Sequence, residues 1–193
     1  MGKIKYQQEI NLFFQKTPVV SSRDIRTFVR KRHYSYLLAS NLIKRGKINR
    51  IVKGFYTTHN DPIVSVFCFK PSYIGLQEAL SLYGLWEQET NVVIVTAKKA
   101  KKQLIRVFGN NVVLHRIKPN YLFGYNLVKH EGFYIPVSDF EKTLIDFVYF
   151  NEIPDRKIIR QLKKKIKITK LTAYLKIYPK RFRERVWKVL QKK

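Results

Sequence analysis

The groups in this 193-residue chain able to do acid–base, nucleophilic or metal chemistry are four histidines, one cysteine and 13 carboxylates. The histidines, His33, His59, His115 and His130, are scattered, with no pair at metal-ligand spacing and no acidic cluster beside them in sequence. Cys68 stands inside the apolar run Val64–Phe69 with no base beside it, so packing is its expected role. One helical stretch gathers Asp139, Glu141 and Asp146 around Lys142. Asp139 and Glu141 point to different sides of a helix. Lys142 and Asp146 are one helical turn apart, a contact worth a few tenths of a kcal/mol at a surface. A structural use outweighs a nuclease-like metal centre here. No phosphate-binding glycine loop is present. From these residues we expect no catalytic residue, no cofactor and no metal.

The residues present in excess are cations. Lys and Arg total 39 against 13 Asp and Glu, a net charge of +26. So large an imbalance opposes compaction by self-repulsion, and a polyanionic partner is its simplest reason. A general lysine excess would spread evenly, and this one does not. Residues 1–60 hold 13 basic and 2 acidic residues, residues 61–150 hold 10 and 8, and residues 151–193 hold 16 and 3. Two basic ends flank a nearly neutral middle.

Elements must position those cations. Tyr6–Gln15 spaces Ile10, Phe13 and Phe14 as one helical face, and Thr17-Pro18 stops it. Ser21 and Ser22, with Asp24 three residues after Ser21, resemble a capping box opening a helix that buries Ile25, Phe28 and Val29. After the basic turn Arg30–His33, a third helix over about Ser35–Arg45 buries Leu38, Ala39 and Leu42, with Gly46 as its C′ residue. Lys47–Val52 then reads as a strand, Lys53-Gly54 as a tight turn and Phe55–Thr57 as the return. Three helices and a hairpin within sixty residues predict a winged helix-turn-helix.

Residues 61–150 predict a small mixed α+β domain. Its strands are Val64–Phe69, Val92–Thr96, Val112–Ile117 and Phe133–Val137. A helix opens at Pro71-Ser72, burying Tyr73, Leu76, Ala79, Leu80 and Tyr83, and Ser138 caps another, burying Phe140, Leu144, Phe147 and Val148. Residues 151–193 predict a basic helical extension packed on that domain, with helices at about Asp155–Lys165, Thr169–Ile177 and Arg181–Leu190. The expected fold class is therefore α+β: winged helix, mixed domain, helical C-terminus. No apolar stretch approaches the roughly 20 residues that cross a bilayer, no signal-peptide core opens the chain, and a lone cysteine suits a reducing compartment; we expect a cytoplasmic protein.

In a helix-turn-helix the second helix enters the major groove, and its first residues meet base edges. Here those are Tyr34, Ser35, Tyr36, Ala39 and Ser40. Arg26, Arg30, Lys31, Arg32, Lys44, Arg45 and Lys47 suit phosphates, and the wing presents Asn49, Arg50 and Lys53. A second basic surface comprises Lys163, Lys164, Lys165, Lys167, Lys180, Arg181, Arg183 and Arg185, with Tyr174 and Tyr178 interleaved as in surfaces that stack single-stranded bases.

The order of motifs resembles the AbiEi family of antitoxins and transcriptional regulators of type IV toxin–antitoxin systems. The resemblance runs through Leu42–Ile48 and Lys53–Tyr56, then Pro71–Leu80 and Tyr83–Leu85, and closes with Phe123-Gly124 and Ser138–Asp146. It covers about residues 20–150 and departs at Phe140, where the family usually has proline. What it implies is an N-terminal winged helix that binds operator DNA and represses its own operon. It also implies a C-terminal domain that counters a nucleotidyltransferase-like toxin without a stable complex. The residues alone leave a rival open, a non-specific architectural DNA- or RNA-binding protein that uses the basic C-terminal helices. Monomer and homodimer on an inverted repeat are both allowed.

Overall fold

The chain is α+β, built on one antiparallel and one mixed sheet. The computed structural model describes residues 6–29, 32–99 and 103–191, without the side chains of Gln7, Phe28 and Arg32. Among the described residues no helix is long and apolar enough to cross a membrane.

Helix α1 (Gln7–Lys16) is followed by a two-residue strand β1 (Val20–Ser21), helices α2 (Ser22–Val29) and α3 (Arg32–Lys44), and a hairpin of β2 (Asn49–Val52) and β3 (Phe55–Thr57). The capping box forms as its spacing predicts. Asp24 Oδ2 accepts from the Ser21 N–H at 2.7 Å, and the Asp24 N–H donates to Ser21 Oγ at 3.2 Å. At the end of α3, Gly46 sits at φ +66°, its N–H donating to Ile43 O and that of Lys47 to Leu42 O. This is a Schellman closure that a side chain would strain. Strand β1 adds to β3 on the side away from β2, giving the antiparallel order β1-β3-β2. Ile10, Val20, Ile25, Leu38, Leu42, Ile48 and Tyr56 form the core of this unit.

A six-stranded mixed sheet follows, in the order β6-β7-β5-β4-β9-β8. Its strands are β4 (Ser72–Ile74), β5 (Val92–Thr96), β6 (Leu104–Val107), β7 (Asn110–Arg116), β8 (Tyr125–His130) and β9 (Phe133–Ser138). Pairs β5/β7 and β4/β9 are parallel. The alternation of side chains divides β5 between two layers. Val92 and Ile94 face a 3₁₀ segment, Pro62–Phe69, together with Val19, Ile51 and Phe55 of the first unit. Val93 faces helices α4 (Leu76–Leu82), α5 (Phe140–Phe150), α6 (Arg156–Lys165), α7 (Ile168–Leu175) and α8 (Lys180–Gln191). Strand β3 thus packs on both sides, Tyr56 toward its own helices and Phe55 toward the sheet. At one edge of the sheet lies β8, whose Leu127 is 68% exposed beside the 59%-exposed Tyr134 of β9.

Three expectations are corrected. Val64–Phe69 is not a strand: the Asp61 carboxylate accepts from the Ile63 N–H at 2.8 Å and Pro62 follows it, so the apolar run starts as a 3₁₀ turn. Pro71-Ser72 does not open a helix. Tyr73 and Ile74 pair with Val95 and Ile94 as a strand, and the helix begins only at Leu76. The cap of α5 is Asp139, which accepts from the Lys142 N–H at 2.8 Å, and not Ser138, whose hydroxyl bonds Thr143. Two strands, β6 and β8, were not expected at all.

Candidate nucleic-acid interface

Helix α3 divides cleanly by its period. Ser35, Leu38, Ala39 and Leu42 are buried, whereas His33, Tyr36, Leu37, Ser40, Asn41 and Lys44 are exposed. The spacing of the exposed set is that of one helical face running the length of the helix. Tyr36 and Leu37 are 43% and 50% exposed, large apolar surface left without cover in the described residues. Of the five base-reading candidates, Tyr36 and Ser40 lie on this face. Tyr34 is half-buried, edge-on to Tyr6 with ring centroids 6.3 Å apart. Ser35 and Ala39, each 1% exposed, belong to the core and cannot reach a groove. Sequence reading counted from the helix start and so missed His33, Leu37 and Asn41; the complement of the buried stripe identifies them.

The phosphate candidates fall around that face. Lys44, Arg45, Lys47, Arg50 and Lys53 are exposed. Arg26 is half-buried, its Nε donating to Ser22 O at 3.3 Å. Arg30, Lys31 and the side chain of Arg32 lie outside the described residues. Asn49 is half-buried at the start of β2, Nδ2 donating to Asn60 Oδ1 at 2.6 Å. Between α2, the hairpin turn and the start of β4 runs an open groove of about 650 Å³. Arg23, Arg26, Lys53, Lys70 and Lys98 line it together with Tyr36, and no carboxylate does. Lys70 and Lys98 come from the sheet layer, far away in sequence, and only tertiary packing reveals them. Cys68 closes the floor of this groove, where burial pushes its thiol up to about 12 against the pull of Lys98 and Lys70. A thiol held protonated is a poor nucleophile.

The acidic motif of α5 serves the interior. Lys142 and Asp146 are both 0% exposed and paired to each other. Tyr73 OH donates to Asp146 Oδ2 at 2.7 Å, and Lys142 Nζ reaches Tyr178 OH at 3.4 Å and lies 5.2 Å from the Phe123 ring centroid. Burial lowers the Lys142 pKa and raises that of Asp146, each held back by the other's charge. This is not the surface contact its spacing suggested. Gly124 covers the pair so closely that a Cβ there would meet Lys142 Cβ at 2.9 Å. Asp139 and Glu141, unable to face each other, share Lys170 Nζ at 3.0 and 3.4 Å. Asp139 also accepts from Tyr174 OH at 2.8 Å, and Glu141 from the Lys167 N–H at 2.7 Å. The motif therefore clamps α5 to the C-terminal helices.

That clamp corrects the reading of the tail. Tyr178 is 3% exposed, stacked between Tyr121 and Phe182, so it offers no ring face to a base, and Tyr174 is half-buried, edge-on to Phe123. Lys163, Lys164, Lys165, Lys167, Lys180, Arg181 and Arg185 are exposed, although Arg185 also donates to Val148 O at 3.3 Å; Arg183 is half-buried. What remains among the described residues is a cationic surface whose aromatic rings are buried or half-buried, apart from any face Tyr174 or Trp187 leaves open. The histidines are also less isolated than their sequence neighbours suggest: His115 Nε2 lies 3.1 Å from Glu152 and His130 Nε2 2.6 Å from Asp61. Compared with models of protein families and with curated proteins, the chain matches none.

Proposed function

We propose that this chain is a sequence-specific DNA-binding transcriptional regulator whose first sixty residues act as a winged helix, with α3 as the helix that enters the major groove. One observation carries the reading: a solvent-facing stripe on α3 of aromatic, amide, hydroxyl and cationic side chains, with no carboxylate in it, beside a cationic hairpin turn. Asn41 can bond adenine in a bidentate manner, Ser40 can donate or accept, and Tyr36 and Leu37 suit a thymine methyl group. Arg50, Lys53 and the lysines of the groove suit phosphates, which fix register without reading sequence. The two carboxylates of residues 1–60 do not oppose this: Asp24 is turned into its capping box, and Glu9 lies on α1. Repression of its own operon, and opposition to a nucleotidyltransferase-like toxin without a stable complex, rest on the AbiEi resemblance alone. Together they make the chain an intracellular regulator with an antitoxin role.

The test is binding of the full chain to duplex DNA from upstream of its own gene against a scrambled duplex, at two salt concentrations. We expect a preference of at least about a thousandfold at physiological salt, the lower end for specific binders. Equal affinity for both duplexes, with a steep salt slope of about −0.9 per phosphate neutralised, would replace this reading with that of a general polyanion binder acting through the tail.

A further inference from the structure

We propose a binding site for a divalent first-row transition ion, zinc being the best fit, formed by Asp61, His130 and Glu131. Asp61 follows the hairpin, whereas His130 and Glu131 form the end of β8 and the turn into β9. One ligand atom from each lies within 4.8 Å of the others. Asp61 Oδ2 is 2.6 Å from His130 Nε2. Oδ1 of the same carboxylate is held by the Ile63 N–H, so the group is already oriented from behind, as ligating carboxylates are.

Charge points the same way. In a chain with three times as many cations as anions, Asp61 and Glu131 flank one imidazole. Among the described residues no lysine or arginine forms an ion pair with either of them, and the Glu131 carboxylate has no hydrogen-bonding partner. Access exists as well. Glu131 is exposed, and His130 and Asp61 keep 21% and 24% of their side-chain surface accessible, so an ion can enter and keep water in a remaining position.

The donor set decides the class of ion. One imidazole with two carboxylates suits zinc and its first-row neighbours, whereas magnesium and calcium favour all-oxygen shells. In a tetrahedral shell at bond lengths of about 2.0–2.2 Å two ligand atoms stand roughly 3.4 Å apart, so the Asp61–His130 contact opens by about 0.8 Å and its hydrogen bond gives way to the ion. The bound ion ties the segment leaving the hairpin to the β8–β9 turn, and so holds the first unit against the sheet.

The experiment is calorimetric titration of the chelator-treated full chain with Zn²⁺ and, separately, Mg²⁺, with visible absorption after Co²⁺ loading. We expect one Zn²⁺ per chain, no measurable Mg²⁺ uptake, and cobalt ligand-field bands. His130→Gln should abolish zinc uptake. Glu131→Gln, at an exposed turn where the fold does not depend on the side chain, should weaken it at least about tenfold, the usual scale for loss of a metal-site partner. Two results would overturn the proposal: no zinc uptake by the parent chain, or uptake unchanged in both variants, which would leave only a hydrogen-bonded pair at Asp61 and an ion bound elsewhere.

Discussion

Lys142 carries an ammonium group to a place without water, and Asp146, Tyr73 and Tyr178 supply the charge and hydrogen bonds that make this tolerable. Removing one partner of such a pair strands the other. Lys142→Met should therefore lower stability by about 3–5 kcal/mol, the scale for an uncompensated buried charge. Pairing it with Asp146→Leu should restore much of that loss, and urea denaturation of the two variants measures both. The spacing of Lys142 and Asp146 was legible in the sequence, but their depth was not. What buries them is Gly124, Tyr178 and the C-terminal helices, all more than about ten positions from Lys142 in sequence. Cys68 was easier, because an apolar run on both sides predicts burial whichever element it forms.

Elements with strong end signals were read well. The capping box before α2, Gly46 after α3 and the Lys53-Gly54 turn each fix backbone geometry locally, so neighbours in sequence suffice. Strands β6 and β8 escaped because they lie at the sheet edges and bury only one residue between them, leaving little buried face to detect. Pro62–Phe69 and Ser72–Ile74 were misassigned because a short, fully buried apolar run has no period. For α3 the period was right, but Ser35 and Ala39 fall on its buried side. The correction yields a prediction at this scale. Tyr36→Ala and Asn41→Ala should change stability by less than about 0.5 kcal/mol yet erase sequence preference in DNA binding. Ala39→Leu should cost about 1–3 kcal/mol through overpacking. Thermal denaturation alongside binding to specific and scrambled duplexes separates the two classes; loss of stability in Asn41→Ala would remove α3 from the proposed role.

Across the whole molecule the charge pattern in the sequence predicted basic ends and a neutral middle, but it did not show how the last end is held. Leu162, Leu171, Leu175 and Val186, 0–2% exposed, complete the core that Leu76, Leu80, Leu144 and Phe147 begin. Cutting the chain after Asn151 should therefore abolish cooperative unfolding, seen as a lost thermal transition, and so cannot report on nucleic-acid binding by the tail. Replacing Lys163, Lys164 and Lys165 together by Gln is the informative variant. These side chains are exposed, so the transition should persist, and any phosphates they neutralise should appear as a salt slope shallower by about 0.9 for each.

The uncovered rim at β8, with Leu127 and Tyr134 in water, gives the positive charge a second consequence. An open strand offers its backbone to any neighbour, and adhesion between copies is opposed here by mutual electrostatic repulsion. A polyanion that titrates the charge to zero removes that barrier as it binds. Colloidal stability of the mixture is then lowest at matched charge, and recovers on either side of it.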